Sequence, residues 1–208
     1  MATRWDDLPP RRALAAMARD FHARGWMPGT AGNLSARIDG ETFWITASGL
    51  PKGRLEESDF LRLSLEGGVV EGDGSLKPSA ESAIHAALYR LFPQARACLH
   101  VHSLAAARVS RRLPAGSDEL PLPDLEILKG LGVWEESPRV TLALFDNPLE
   151  VSRIARVLER RFRLQPPSLP ALLIRSHGTT VWGESLQQAY DRLECVEFIL
   201  AYLAEEAR

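Results

Sequence analysis

Apolar side chains recur at helical spacing over residues 11–24, where Leu14, Met17, Ala18 and Phe21 share one face and Gly25 ends the run. Three glycines and a proline punctuate "GWMPGTAGNLSARI", and this Gly-rich turn leads into "ETFWITAS", where Phe43 and Ile45 alternate as in a half-buried strand. A second Gly-bearing turn, "SGLPKG", precedes a short helical turn near Glu56–Phe60 and a strand that ends at Gly67–Gly68. "KPSAESAIHAALYRLFP" places Ile84, Leu88 and Leu91 on one helical face, with Ser79 near the N-cap and a stop before Pro93. "ARACLHVH" is a buried strand and "LAAARVSRRL" a helix from Ser103 onward. Residues 114–138 are irregular around Pro114, Pro121, Pro123 and Pro138. A strand "VTLALF", a helix "PLEVSRIARVLERRF", a strand "PALLIRS" and a long helix over 184–206 complete the chain. Strands alternating with helices predict an α/β fold, a single three-layer domain over residues 1–208 with the sheet in the middle.

Composition narrows the possible functions. The chain has 208 residues, 45% hydrophobic and 25% charged, enough to bury a large core without covalent staples. A formal net charge of −2 lacks the basic surplus that drives nucleic-acid binding, and no apolar run approaches the ~18 residues of a membrane span. Cys98 and Cys195 lie in apolar segments and are read as buried thiols in a reducing compartment, so a cytoplasmic protein is expected.

Candidate chemistry begins at "LHVHS". On a strand, residues i and i+2 point to the same face, so His100 and His102 project side by side, which suits one metal or two hydrogen-bonded histidines. His177 follows another apolar strand in "LLIRSHGTTVWG", where a site residue and a plain turn histidine are both reasonable. Three histidines with an open position are the ligand set of a catalytic zinc, although other divalent metals accept them. His22 and His85 are read as surface or packing residues. Three loops can hold an anion: "GTAGN" at residues 29–33, "TASG" at 46–49 and "KPSAE" at 77–81.

Taken together, "GTAGNLS", "ITASG", "KPSAES", "LHVHS" and "SHGTTVWG", in this order, resemble the class II aldolase family over about residues 10–205. The resemblance implies a class II aldolase-like α/β/α domain with a largely antiparallel or mixed sheet. It implies one zinc on His100, His102 and His177, a phosphate site at Gly32, Asn33, Ser48, Gly49 and Ser79, and a catalytic carboxylate at Glu81. Ala80 stands where the family carries a second serine. The implied partner is a phosphorylated ketose, with no nucleic acid and no membrane, and the implied assembly is a homotetramer with the site near a subunit interface.

Within the family, the segment "DLEILKG" separates two reactions. The resemblance implies a tyrosine in the fuculose-phosphate aldolase where this chain has Glu126, whereas "E-x-x-K-G", "GLPKG" and "FDN" resemble the dehydrating branch that acts on 5-methylthioribulose 1-phosphate. The resemblance implies Glu126 as acid/base; by itself a glutamate in a Pro-rich stretch reads as a solvated residue. Glu81 carries two readings, proton transfer or orientation of the metal ligands. The alternative activity is a sugar-phosphate aldolase or 4-epimerase. A non-catalytic, adducin-type domain is the other alternative, and loss of the histidines would be its mark.

Overall fold

In the computed structural model, which describes residues 4–206, nine strands form one sheet in the order β4-β3-β2-β1-β5-β9-β8-β7-β6. The strands are β1 (Asn33–Arg37), β2 (Thr42–Thr46), β3 (Phe60–Ser64), β4 (Val69–Glu71), β5 (Ala97–Val101), β6 (Glu119–Pro121), β7 (Thr141–Phe145), β8 (Ala171–Ile174) and β9 (Gly178–Gly183). Only β7 and β8 pair in parallel; the other pairings are antiparallel, so the sheet is mixed, as expected.

Helices cover both faces because alternate strand residues are apolar on both sides. Helices α1 (Pro10–Ala23), α3 (Leu104–Arg112) and α5 (Leu186–Glu206) bury Leu34, Leu99, Val101, Leu144, Leu173 and Val181. Helices α2 (Ser82–Leu91) and α4 (Val151–Leu164) cover Phe43, Ile45, Cys98, Phe145, Leu172 and Trp182 on the opposite face. The central trio β1, β5 and β9 is hydrogen-bonded on both edges, and its register aligns Asn33, His100 and Thr180 across adjacent strands. A residue placed there has little freedom to move, which suits a site that must hold ligands in fixed geometry.

Several elements differ from the sequence expectation. Helix α2 starts at Ser82 with Glu81 at its cap, three residues beyond Ser79. Upstream, Ala47 bridges Pro78 and the Ser48 N–H donates to the Lys77 carbonyl at 2.9 Å, so residues 77–78 run extended beside the 46–49 loop. The run "GTTVWG", to which the apolar periodicity assigns no element, is the fully buried strand β9. Cys98 is buried, while Cys195 is half-buried; both are free thiols.

Candidate metal centre

Local geometry brings four ligand-type side chains together. Cys98 packs on the α2/α4 face of β5, so period-2 alternation puts His100 on that face and carries His102 to the same side at the strand's end. His177 sits in the tight connection between β8 and β9, where its N–H donates to the Ile174 carbonyl at 3.1 Å. Glu81 reaches the group from the cap of α2. One ligand atom from each of Glu81, His100, His102 and His177 lies within 4.8 Å of all the others.

The Nε2 atoms converge: His100 to His102 is 2.8 Å, His102 to His177 is 3.0 Å and His100 to His177 is 3.3 Å. His100 Nδ1 lies 3.0 Å from the Thr179 carbonyl, which can only accept, so Nδ1 carries the hydrogen and Nε2 presents a lone pair. His177 Nδ1 faces Asn147 Oδ1 at 3.2 Å, which assigns its tautomer in the same sense. Glu81 Oε1 adds another donor of electron pairs, 2.7 Å from His177 Nε2 and 3.6 Å and 3.8 Å from those of His100 and His102. Facing lone pairs repel unless a proton or a metal ion lies between them, and a donor set of imidazoles with a carboxylate suits a divalent transition metal.

The protonation states agree with that role. Burial pushes His102 down to about 3, and the neighbouring His100 and His177 act in the same direction, leaving a neutral imidazole able to ligate. Burial alone would raise the Glu81 carboxyl, but hydrogen bonds and charge from His100 and His177 hold it far below the usual carboxylate range. The Asn33 side-chain amide also donates to Glu81.

The predicted anion loops meet beside this cluster. Asn33 pairs with His100 across β1 and β5, and its amide donates to Ser79 Oγ at 3.2 Å. Gly32 has φ +84°, and a Cβ there would lie 2.8 Å from the His100 carbonyl oxygen, so glycine is required by both backbone and space. Ser48 and Gly49 lie in the loop bridged to residues 77–78.

Lys52, which sequence reasoning passed over within "GLPKG", is 1% exposed. Its backbone N–H donates to the Gly29 carbonyl at 2.9 Å, and its ammonium donates to the Leu50 carbonyl at 3.1 Å. Burial lowers its pKa, while the charges of Glu81 and Asp59 counter that drop. A lysine in the Gly-bearing turn directly after the 46–49 anion loop was the available signal.

Glu126 stands apart. It opens a 3-10 segment, Glu126–Leu131, its side chain is 85% exposed, and it pairs with Lys129 Nζ at 2.7 Å. The structure therefore brings Glu81, the three histidines and the anion loops together within one chain, and leaves Glu126 outside that cluster.

A histidine-and-carboxylate cluster at the strand ends of a mixed sheet, with anion loops at its rim, is the equipment of a metal-dependent enzyme that handles a charged small molecule. The chain belongs to the family described as Class II Aldolase and Adducin N-terminal domain, whose profile matches residues 12–203. It is 55% identical over 195 residues, 93% of this chain and 94% of the relative, to a methylthioribulose-1-phosphate dehydratase of Microcystis aeruginosa. A relative of the same name from Leptospira biflexa is 42% identical over 193 residues, 89% of this chain and 92% of that one. Among solved structures, an l-fuculose-1-phosphate aldolase from Thermus thermophilus superposes with a TM-score of 0.72 at 29% identity, over 93% of this chain and 92% of that one. The chain is thus a metal-dependent lyase of the hydro-lyase kind.

Proposed function

We propose that the chain converts 5-methylthioribulose 1-phosphate to 5-methylthio-2,3-dioxopentyl 1-phosphate and water, a step of methionine salvage, as a zinc-dependent cytoplasmic homotetramer. The observation that carries this reading is the convergence of three imidazole Nε2 atoms and Glu81 beside the anion loops, in a chain 55% identical to a dehydratase of that name. His100, His102 and His177 hold the metal. When bound, it supplies a Lewis acid that stabilises negative charge developing beside the substrate carbonyl.

The protein's own residues do the rest. Gly32, Asn33, Ser48, Gly49 and Ser79 take the phosphate, and Lys52 supplies the positive charge that this set of neutral donors lacks. The Glu126 carboxylate removes the C3 proton, the C4 hydroxyl departs with a proton as water, and the resulting enol relaxes to the 2,3-diketone. Because Glu126 is exposed and lies outside the cluster of its own chain, this role requires it to serve the site of a second copy across a subunit interface. Glu81 accepts from Asn33 and faces the histidines, which supports its orienting the ligand set.

Glu126→Gln is expected to lower dehydration by about 10²-fold or more with metal content unchanged, read by product formation and metal analysis. Undiminished dehydration would sink the assignment. Lys52→Met is expected to raise KM about tenfold while zinc affinity stays constant, because a charged contact to phosphate is lost. An unaltered KM removes Lys52 from the phosphate site. A second reading, aldol cleavage or 4-epimerisation, draws support from the likeness to the fuculose-phosphate aldolase structure. Aldehyde release from fuculose 1-phosphate, with methylthioribulose 1-phosphate left intact, would replace the first reading by the second.

A further inference from the structure

Behind the cluster, on the opposite face of the sheet, α5 buries a carboxyl group that the reaction does not use. Glu197 is 2% exposed, and neither carboxyl oxygen has a well-formed hydrogen bond; Thr179 Oγ1 is likewise buried without one. Burial pushes this carboxyl up to about 7, held back by the facing hydroxyls of Ser103 and Thr179. Both hydroxyls belong to segments that carry metal-ligand candidates. Ser103 follows His102 directly and caps α3, accepting from the Ala106 N–H at 3.0 Å. Thr179 lies two residues after His177, pairs with Val101 of β5, and gives its carbonyl to His100 Nδ1. Val181 packs on the α5 face and Trp182 on the other, so alternation turns the Thr179 side chain toward α5 while Thr180 Oγ1 meets His100 at 2.9 Å in front.

We propose that Glu197 is a positioning residue for the metal centre: through Ser103 and Thr179 it fixes, from behind the sheet, the relative placement of the two strand ends that present His100, His102 and His177. A carboxyl group in an apolar face carries a desolvation cost, and an unpartnered one more so, which makes it an uneconomical choice for packing alone. Its position between the two ligand-bearing segments gives it a use that an apolar residue cannot fill. Outer partners of metal ligands typically alter metal affinity 10- to 100-fold when removed. The inference rests on the metal-centre reading above.

Zinc affinity, measured by competition with a chromophoric chelator on folded, metal-free protein, tests it. Glu197→Ala and Thr179→Val are each expected to bind zinc at least tenfold more weakly and to change the visible spectrum of the cobalt-loaded form. Glu197→Gln, which keeps the size and a polar group facing Ser103 and Thr179, is expected to stay within about threefold of wild type. Variants that are less heat-stable yet bind zinc like wild type, with an unchanged cobalt spectrum, would reduce Glu197 to a packing residue and overturn the inference. If Glu197→Ala does not fold, Thr179→Val decides it alone. Wild-type protein that takes up neither zinc nor cobalt would overturn the metal-centre reading itself, a result distinct from variants that match a metal-binding wild type.

Discussion

His85 shows how one buried side chain couples stability to pH. It is fully buried on α2, with Nδ1 2.7 Å from Ser35 Oγ and Nε2 without a partner. Burial, reinforced by His100, pushes its pKa down to about 3. The unfolded chain binds a proton at this histidine below about pH 6.5, whereas the folded chain does not until near pH 3. Because the unfolded state then holds more protons, stability falls as pH drops through that window, by about 1.4 kcal/mol per pH unit from this residue. Urea unfolding of metal-free protein at pH 6 and 4.5 is expected to show wild type losing about 2 kcal/mol more than His85→Gln. Equal losses would assign the acid sensitivity elsewhere. His85 gave no such signal in sequence, since its burial depends on α2 packing on β1, where Ser35 Oγ meets both His85 and Tyr89.

Strand β9 is the element on which the site most depends. A Cβ on Gly178 would lie 2.0 Å from the Val101 carbonyl oxygen, so β5 and β9 meet there only because residue 178 has no side chain. Gly178→Ala is expected to cost a few kcal/mol and to displace the adjacent His177, giving a lower Tm and weaker zinc binding together. Retention of both at wild-type values would show that the strand ends can part without harm. This strand also marks where sequence reading stops. Helices α1, α2, α4 and α5 and strands β2, β5, β7 and β8 were legible because their apolar periodicity is strong, as at Leu14, Met17 and Phe21 of α1. "GTTVWG" begins and ends in glycine and its threonines mask the alternation, so only pairing with β5 and β8 defines it. The edge strands β4 and β6 are three residues each and escape any period. His100, His102 and His177 were legible as residues, but the approach of Glu81 and Lys52 to them depends on loops whose path follows from the Ala47–Pro78 bridge and the Gly29 contact.

Across the whole molecule, a metal held by this cluster would be linked to the fold, because the four candidate ligands come from the end of β5, the β8–β9 connection and the cap of α2, which only the folded chain assembles. Zinc at about a thousand times its Kd contributes about 4 kcal/mol, which for a chain of this size raises Tm by roughly 10 °C. Calorimetry before and after chelation, with zinc restored, checks this; an unchanged Tm would separate the cluster from metal binding. Among the described residues, no helix is long and apolar enough to cross a membrane.

The segment bearing Glu126 has a different standing from the metal cluster. It is anchored by buried Leu128 and Leu131, while Glu126 itself stays in solvent. This stretch can therefore change without disturbing the central strands that carry the histidine cluster. A different chemistry can be fitted at this outlying stretch while the scaffold that holds the histidines keeps its shape.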